Sequence, residues 1–351
     1  MLSTLLAPWL NNQAVKLTCC DKWHETEDTI SIKLACTDEN HLAKFKPGQF
    51  VNIGINLDGK MEYRAYSLSS TPFDTDLQLT IKRVEGGRVS NFLIDQFQIG
   101  DSVMVLPPAG EFNSVDHPPQ HNKALCISAG CGITPVYSMA TTWLNHNPHC
   151  DVHFLHIARS PAHTIFFNEL EQLNREHERF SLSLLLKDKQ HTSYPQGRLD
   201  QTWLETLVPD LHERTVYLCG PTQFMEDVKG YLTHLDFDMS HFHAESFTPT
   251  ADTQHAQRDT EQPQTVTLTV PSFNTAVAIE SGSNIADVLE AQGVPLIIAC
   301  RSGICGSCKC KATPNSTRST SQATLTADEI EQGYILACSS QIISDSEISL
   351  G

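Results

Sequence analysis

Cys300-Arg301-Ser302-Gly303-Ile304-Cys305-Gly306-Ser307-Cys308, followed much later by a lone Cys338, decides how this chain is read. Three thiols stand on one short loop in C-x4-C-x2-C spacing, and a fourth returns from a later segment. That is the spacing of the cysteines around a [2Fe–2S] cluster. Zinc, the rival ligand, prefers paired C-x2-C arms in structural sites. Four unliganded cysteines are the remaining alternative. Gly303, Gly306 and Ser307 are small, so the backbone can wrap a cluster and aim N–H groups at its sulfides. Such a cluster moves single electrons, and the rest of the chain has to supply or receive them.

With 351 residues the chain is long for one core and fits two or three domains. Its 40% hydrophobic content is that of an ordinary globular protein. No run approaches the roughly 18 apolar residues of a membrane span. The short apolar patch in Met1–Leu10 is interrupted by Pro8 and has no basic flank, unlike an export signal, so a cytoplasmic location is expected. Of the 12 cysteines four go to the cluster, and the other eight read as reduced thiols. The net charge of −17 argues against nucleic-acid or anionic-membrane partners.

Composition divides the chain. Residues 248–264 are polar and rich in Thr, Pro and Gln, as a linker is. The segment 265–351 shows strand-like runs at Thr265–Val270 and Ala276–Glu280, a helix near Asn284–Gln292, and a capping box at Thr326–Glu329. With the strand-like Tyr334–Cys338 these fit a small α+β β-grasp ferredoxin domain. Residues 10–118 carry short alternating strands (Thr29–Ala35, Phe50–Ile55, Leu77–Val84, Ser102–Leu106) split by Gly and Pro turns, an antiparallel β-barrel pattern. Residues 119–247 alternate apolar strands (Ala124–Ile127, Val152–Ile157, Leu182–Leu186, Val216–Leu218) with helical stretches near Pro135–Leu144, Phe166–Glu176 and Phe224–Leu232. That is an α/β pattern with a parallel sheet.

In the barrel segment, Arg64-Ala65-Tyr66-Ser67 is followed about twenty residues later by Gly86-Gly87-Arg88-Val89-Ser90. Arg64 suits a phosphate, Tyr66 a flat ring, and Ser67 a hydrogen bond near a flavin's reactive nitrogen. Gly86 and Gly87 let backbone approach phosphate oxygens, and Ser90 is placed to open a helix whose N-terminus favours anions. An edge strand with an ordinary turn would explain either motif alone. In the α/β segment, Ser128-Ala129-Gly130-Cys131-Gly132-Ile133-Thr134-Pro135 joins a strand to a helix, with Thr134 expected as the cap and Pro135 in the first turn. Its G-x-G core is shorter than the dinucleotide fingerprint. Cys219-Gly220-Pro221 ends a later strand, and neighbouring strand ends on one sheet edge are where α/β folds bind nucleotides. A buried small hydrophobe is the plainer reading of Cys219.

Taken in order, R-x-Y-S, G-G-x-x-S, A-G-C-G-I-T-P, C-G-P-x-x-F-M and the cluster cysteines make the chain resemble the ferredoxin–NADP reductase superfamily, in its branch with a C-terminal ferredoxin domain. The resemblance spans nearly the whole chain. It implies that Arg64, Ala65, Tyr66, Ser67, Gly86, Gly87 and Ser90 hold the flavin. It places Gly130, Gly132, Thr134, Pro135, Cys219, Gly220 and Pro221 on the nicotinamide nucleotide. Glu245 and Phe247 match a segment closing over the site, and Ser67, Cys219 and Glu245 lie at the reacting centre. FAD rather than FMN is implied, with Gly110-Glu111-Phe112 on the adenine side. A lone Arg159 after the strand leaves the nucleotide as NADH rather than NADPH. Ser128–Met139, Ala299–Cys310 and Thr324–Cys338 look most like the family members that reduce hybrid-cluster protein, which becomes the expected acceptor. An oxygenase or desaturase component is the alternative, and a redox-sensing regulatory role is the third.

Two further features are ambiguous. His146, His149, Cys150 and His153 lie close in sequence, but Pro148 breaks their helical register, so a loop and a strand are expected rather than a metal site. Arg301, Lys309, Lys311 and Arg318 are all basic in an acidic chain, either a solvated face or a docking patch for an acidic partner. Cys310 is an extra thiol beside the ligands, open to ligand exchange or oxidation if accessible.

Overall fold

A computed structural model describes residues 14–35, 44–147, 149–247, 264–301, 303, 305–322 and 324–350. The apolar patch of Met1–Leu10 and the linker up to residue 263 lie outside the described residues. No helix among those described is long and apolar enough to cross a membrane.

The antiparallel sheet expected from the short strands is present. It contains β1 (Val15–Thr26), β2 (Thr29–Ala35), β3 (Phe50–Leu57), β4 (Lys60–Ser67), β5 (Asp76–Lys82) and, after helix α1 (Arg88–Asp95), β6 (Ser102–Val105). The strand order is β4-β3-β6-β1-β2-β5, and a bridge between Leu68 and Leu79 joins the two outer strands into a barrel. Sequence patterning missed β1. Register shifts at Cys19/Asp21 and His24/Thr26 break its alternation, so neither face reads as apolar. Helix α1 begins at Arg88 with Gly87 as its cap, which puts Ser90 in the first turn rather than at the opening. At its far end Lys22 of β1 donates to the carbonyls of Leu93, Ile94 and Phe97 at 3.0, 2.9 and 2.6 Å. An ammonium there satisfies acceptors that the helix leaves open and opposes its negative pole.

The second sheet is wholly parallel: β7 (Lys123–Ala129), β8 (Asp151–Ala158), β9 (Phe180–Leu186), β10 (Thr215–Gly220) and β11 (Phe242–Ser246), in the order β11-β10-β7-β8-β9. Helices α2 (Ile133–His146), α3 (Phe167–Glu176), α4 (Gln201–Leu207) and α5 (Thr222–His234) connect the strands. One apolar cluster packs α2 and α3 residues such as Ile133, Val136 and Leu170 on Phe154 and Tyr217. Another packs Leu204, Val228 and Leu232 of α4 and α5 on Leu125, Leu155 and Leu218. The chain runs outward from β7 to β9 and then returns to the other side of β7 at β10. A crevice therefore opens beyond the ends of β7 and β10.

The C-terminal segment forms β12 (Thr265–Val270), β13 (Thr275–Glu280), α6 (Ile285–Ala291), β14 (Lys309–Ala312), β15 (Thr317–Ser319), α7 (Ala327–Glu331), β16 (Tyr334–Leu336), β17 (Ser340–Ile342) and β18 (Ser346–Ser349). Its main sheet runs β13-β12-β18-β14-β16, with Ile285, Ala286 and Leu289 of α6 packed on Leu268, Leu336 and Ile348. Asn284 caps α6, and Thr326 with Glu329 forms the expected capping box on α7. The expected last strand is shorter than its apolar pattern, because Ala337–Ser339 turn as a 3-10 segment that carries Cys338 inward. By compactness the residues form two units. One joins Asn52–Ala65 to the C-terminal segment, and the other holds Val15–Val51 with the chain from Tyr66 through β11.

Replacing Lys22 by Met keeps its stem and removes its three donated bonds. It should lower unfolding free energy by about 2 kcal/mol, read from chemical denaturation.

Candidate functional site

The strand β4 carries Arg64, Ala65 and Tyr66, all half-buried, and ends on Ser67, which is buried. Arg64 Nη1 donates to the Tyr63 carbonyl at 2.6 Å and reaches the Ala299 carbonyl at 3.5 Å. Ser67 Oγ has no hydrogen-bond partner although it is shut off from solvent. Leaving a buried hydroxyl unpaired costs about 1–3 kcal/mol, which a ligand accepting or donating at that atom would recover. Gly86, Gly87 and Ser90 lie at the start of α1, where the positive helix pole suits a phosphate.

At the nucleotide edge Gly130–Gly132 form one 3-10 turn between β7 and α2. A Cβ on Gly132 would lie 2.2 Å from the Cys219 carbonyl oxygen, so only glycine lets this turn press against the end of β10. Thr134 is not the cap. It sits one residue inside the helix and donates from Oγ1 to the Cys131 carbonyl at 3.0 Å, while Gly132 takes the cap position. Pro135 is in the first turn, as expected. Cys131 Sγ donates to the Thr80 carbonyl at 3.8 Å, and Ser138 Oγ to the Ser70 carbonyl at 2.6 Å, which ties the turn and α2 to barrel segments.

Cys219 lies in register between Ser128 of β7 and Glu245 of β11. It is fully buried, and burial pushes its thiol well above the ordinary range. Gly220 is buried beside it, and Pro221 caps α5 at the surface. Thr222 Oγ1 is buried and unpartnered. Glu245 is half-buried as a residue, but its Oε2 is closed to solvent and has no partner. Burial raises that carboxyl to about 8, so it is largely protonated at neutral pH. Phe247, just beyond β11, is 42% exposed, an apolar ring available to cover a ligand. Sequence reading missed Ser128 and His156, whose Oγ and Nδ1 meet at 2.8 Å behind the turn. Burial lowers His156 to about 3, and a histidine inside an apolar strand was the available signal.

In the C-terminal unit the four sulfurs form one connected run. Cys308 and Cys338 Sγ are 3.2 Å apart, and Cys300 is hydrogen-bonded to Cys305 and Cys338. Among the described residues no three His, Cys, Asp or Glu side chains converge on one ion. Four thiols at this spacing fit the donor set of a [2Fe–2S] cluster. The backbone N–H of Gly303 points at Cys338 Sγ at 3.2 Å, and that of Cys338 at Cys308 Sγ at 3.4 Å. Gly303 has φ +72, and a Cβ there would strike Ser339 and Ser321. Thr324, which the spacing did not flag, has a buried unpartnered Oγ1 beside Gly306. The thiols of Cys305 and Cys338 are pushed up, first by hydrogen bonding to Cys300 and then by burial and neighbouring thiols. Cys308 is held down, first by its hydrogen bond with Cys338. Such a set binds metal after losing protons.

Cys310 faces the core of β14, and burial pushes its thiol up to about 12, which makes it unreactive. The basic residues near the loop are partly neutralised, Arg301 by Asp287 and Glu290 and Lys309 by Glu329. His153 lies in β8 bonded to Ser183, Cys150 is buried, and His146 stacks on Phe73.

Residues 16–114 match the family described as oxidoreductase FAD-binding domain, residues 126–230 the oxidoreductase NAD-binding domain, and residues 268–342 the 2Fe-2S iron-sulfur cluster binding domain. The glycine betaine monooxygenase reductase subunit of Chromohalobacter salexigens is 34% identical over 333 residues, 90% of each chain. NADH oxidoreductase HCR of Escherichia coli is 31% identical over 318 residues, covering 90% of this chain and 91% of that one. The solved phthalate dioxygenase reductase shares the fold with a TM-score of 0.64 and 24% identity, over 97% of this chain and 99% of that one.

Gly132→Ala forces backbone apart at the end of β10 and should slow flavin reduction by NADH on the order of 10²-fold while FAD stays bound, read by stopped-flow. The raised Glu245 carboxyl gives a second test. Between the ordinary carboxyl range and about 8 the folded chain keeps a proton that the unfolded chain has released. Stability therefore falls as pH rises across that window and levels off above it. Glu245→Gln should remove roughly 3 kcal/mol of this decline, measured by denaturation at pH 6 and pH 9.

Proposed function

Because the chain belongs to the ferredoxin–NADP reductase family, in the branch with a fused [2Fe–2S] domain, we propose that it serves as the reductase component of an oxygenase. It is an NADH-dependent oxidoreductase that binds FAD and carries a [2Fe–2S] cluster. The structural observation behind the oxidoreductase chemistry is the coexistence, in one chain, of four neighbouring cysteine sulfurs with unpartnered buried atoms at Ser67, Glu245 and Thr222. When bound, the cofactors supply hydride acceptance and one-electron transfer.

The chain's own residues would bind, orient and exclude water. Arg64, Ala65, Tyr66, Gly86, Gly87 and Ser90 would hold the flavin, with Ser67 Oγ supplying a hydrogen bond to its reactive edge. Gly130, Gly132, Thr134, Pro135, Gly220 and Pro221 would seat the nicotinamide nucleotide. Cys219, a neutral thiol, would stand beside the nicotinamide, and Phe247 would cover the site. Glu245, protonated below about 8, offers a donor rather than a repelling charge. Cys300, Cys305, Cys308 and Cys338 would ligate the two irons. Domain limits of 10–118, 119–247 and 265–351, with a linker at 248–264, and a cytoplasmic location suited to the unpaired thiols, belong to the same reading.

An oxygenase partner is favoured because a monooxygenase reductase subunit is 34% identical over 90% of both chains. Hybrid-cluster protein is the second reading, on the 31% likeness to an NADH oxidoreductase HCR. This order reverses the expectation from local motifs. Anaerobic stopped-flow should show NADH bleaching the flavin, then cluster reduction, then reduction of an added oxygenase component. Transfer to hybrid-cluster protein alone would restore the second reading, and failure of both NADH and NADPH to reduce the flavin would end the enzyme reading. Cys305→Ser should abolish acceptor reduction and leave flavin bleaching unchanged.

A further inference from the structure

The turn between β3 and β4 belongs to the compact unit of the C-terminal segment. There Lys60 pairs its ammonium with the carboxylate of Glu290, near the end of α6. The same carboxylate takes the guanidinium of Arg301, whose Nη1 also donates to Asp287 Oδ1 at 2.6 Å. Hydrogen bonding from Lys60, ahead of other causes, holds the Glu290 carboxyl below its usual range. Arg301 directly follows the ligand Cys300 and has φ +55, a backbone state that a long side chain keeps only where contacts hold it. Four residues along β4 from Lys60, Arg64 Nη1 reaches the carbonyl of Ala299, the residue before Cys300. One strand thus grips both neighbours of the first ligand, Ala299 directly and Arg301 through Glu290.

We propose that Lys60 and Glu290 form a salt-dependent clasp that seats the Cys300 loop on β4, the strand that runs on to Tyr66 and Ser67, and so sets the rate of electron transfer from flavin to cluster. The inference rests on the reductase reading above. In the step concerned one electron leaves the reduced flavin and one ferric iron becomes ferrous, with no bond made or broken. Lys60, Glu290 and Arg301 are positioning residues and touch no substrate. The Lys60 and Glu290 side chains are 62% and 31% exposed, so the pair is worth only a severalfold bias and weakens in salt. That magnitude fits a contact that forms and releases within turnover. A buried pair would hold the loop permanently. Arg301, held by two carboxylates, stays with α6 when Lys60 lets go, so the ligand loop keeps its shape in either state.

A water-soluble carbodiimide condenses a lysine with a carboxylate only where the two meet. On the full-length holoenzyme at low salt it should give a Lys60–Glu290 isopeptide, identified by mass spectrometry, and several times less of it at about 0.5 M salt. Lys60→Glu should slow the cluster phase of NADH stopped-flow about fivefold at low salt and reverse its salt dependence, since the attraction to Glu290 becomes a repulsion that salt screens. Lys60→Gln should fall between, and the flavin phase should be unchanged in both. Absence of the cross-link at low salt overturns the clasp. So does a cluster phase in Lys60→Glu with the rate and salt dependence of the natural protein. A flavin that NADH does not reduce in the natural protein refutes the reductase reading instead, while the cross-link still reports on the clasp.

Discussion

Four sulfur atoms brought together inside one small core are the constraint on which the C-terminal unit rests. Cys305 is buried, Cys308 and Cys338 are buried in one apolar cluster with Leu336, Ile342 and Ile348, and these last two sulfurs, of Cys308 and Cys338, are close enough to share a proton. As free thiolates they would repel one another in a medium that screens poorly. As thiols they leave the N–H groups of Gly303 and Cys338 aimed at weak acceptors. Iron bound by these four sulfurs would remove both problems at once, and its binding would then add folding energy to this unit.

The candidate nucleotide site depends on a close approach. Gly132 presses on the carbonyl of Cys219, which places the end of β7, the end of β10 and β11 together. At that junction stand a neutral thiol, a protonated carboxyl and an unpaired hydroxyl on Thr222. None carries a charge at neutral pH that would trap a cation or repel a reduced nucleotide. This is a setting for moving a hydride between two flat rings, where the work is orientation and exclusion of water rather than acid–base chemistry.

Charges outside the sites take part in assembly more than in attraction. The basic residues around the cluster loop, read alone, resemble a docking patch. In the fold Arg301 and Lys309 are tied to acidic neighbours, and Lys309 and Lys311 both lie over Tyr334. Lys22 similarly spends its ammonium on the carbonyls of α1. A charge count predicts none of these pairings, because each joins residues far apart in the chain.

The sequence by itself determined the spacing of the four cysteines, the three architectures and their order, the helix near Asn284, the capping box at Thr326, and the glycine turn at Gly130–Gly132. Each is legible because it is local: fixed spacing, short periodicity, or a residue type that one backbone state demands. Only the tertiary structure decided that Gly132 caps α2 in place of Thr134, that β1 exists despite its bulges, and that Cys310 is buried beyond reaction. It alone joined Glu245 to Cys219, left Ser67 and Thr324 with unspent hydroxyls, and brought Lys60 to Glu290. These facts depend on strand register and burial, which arise from contacts between distant segments, and no window of neighbouring residues contains them.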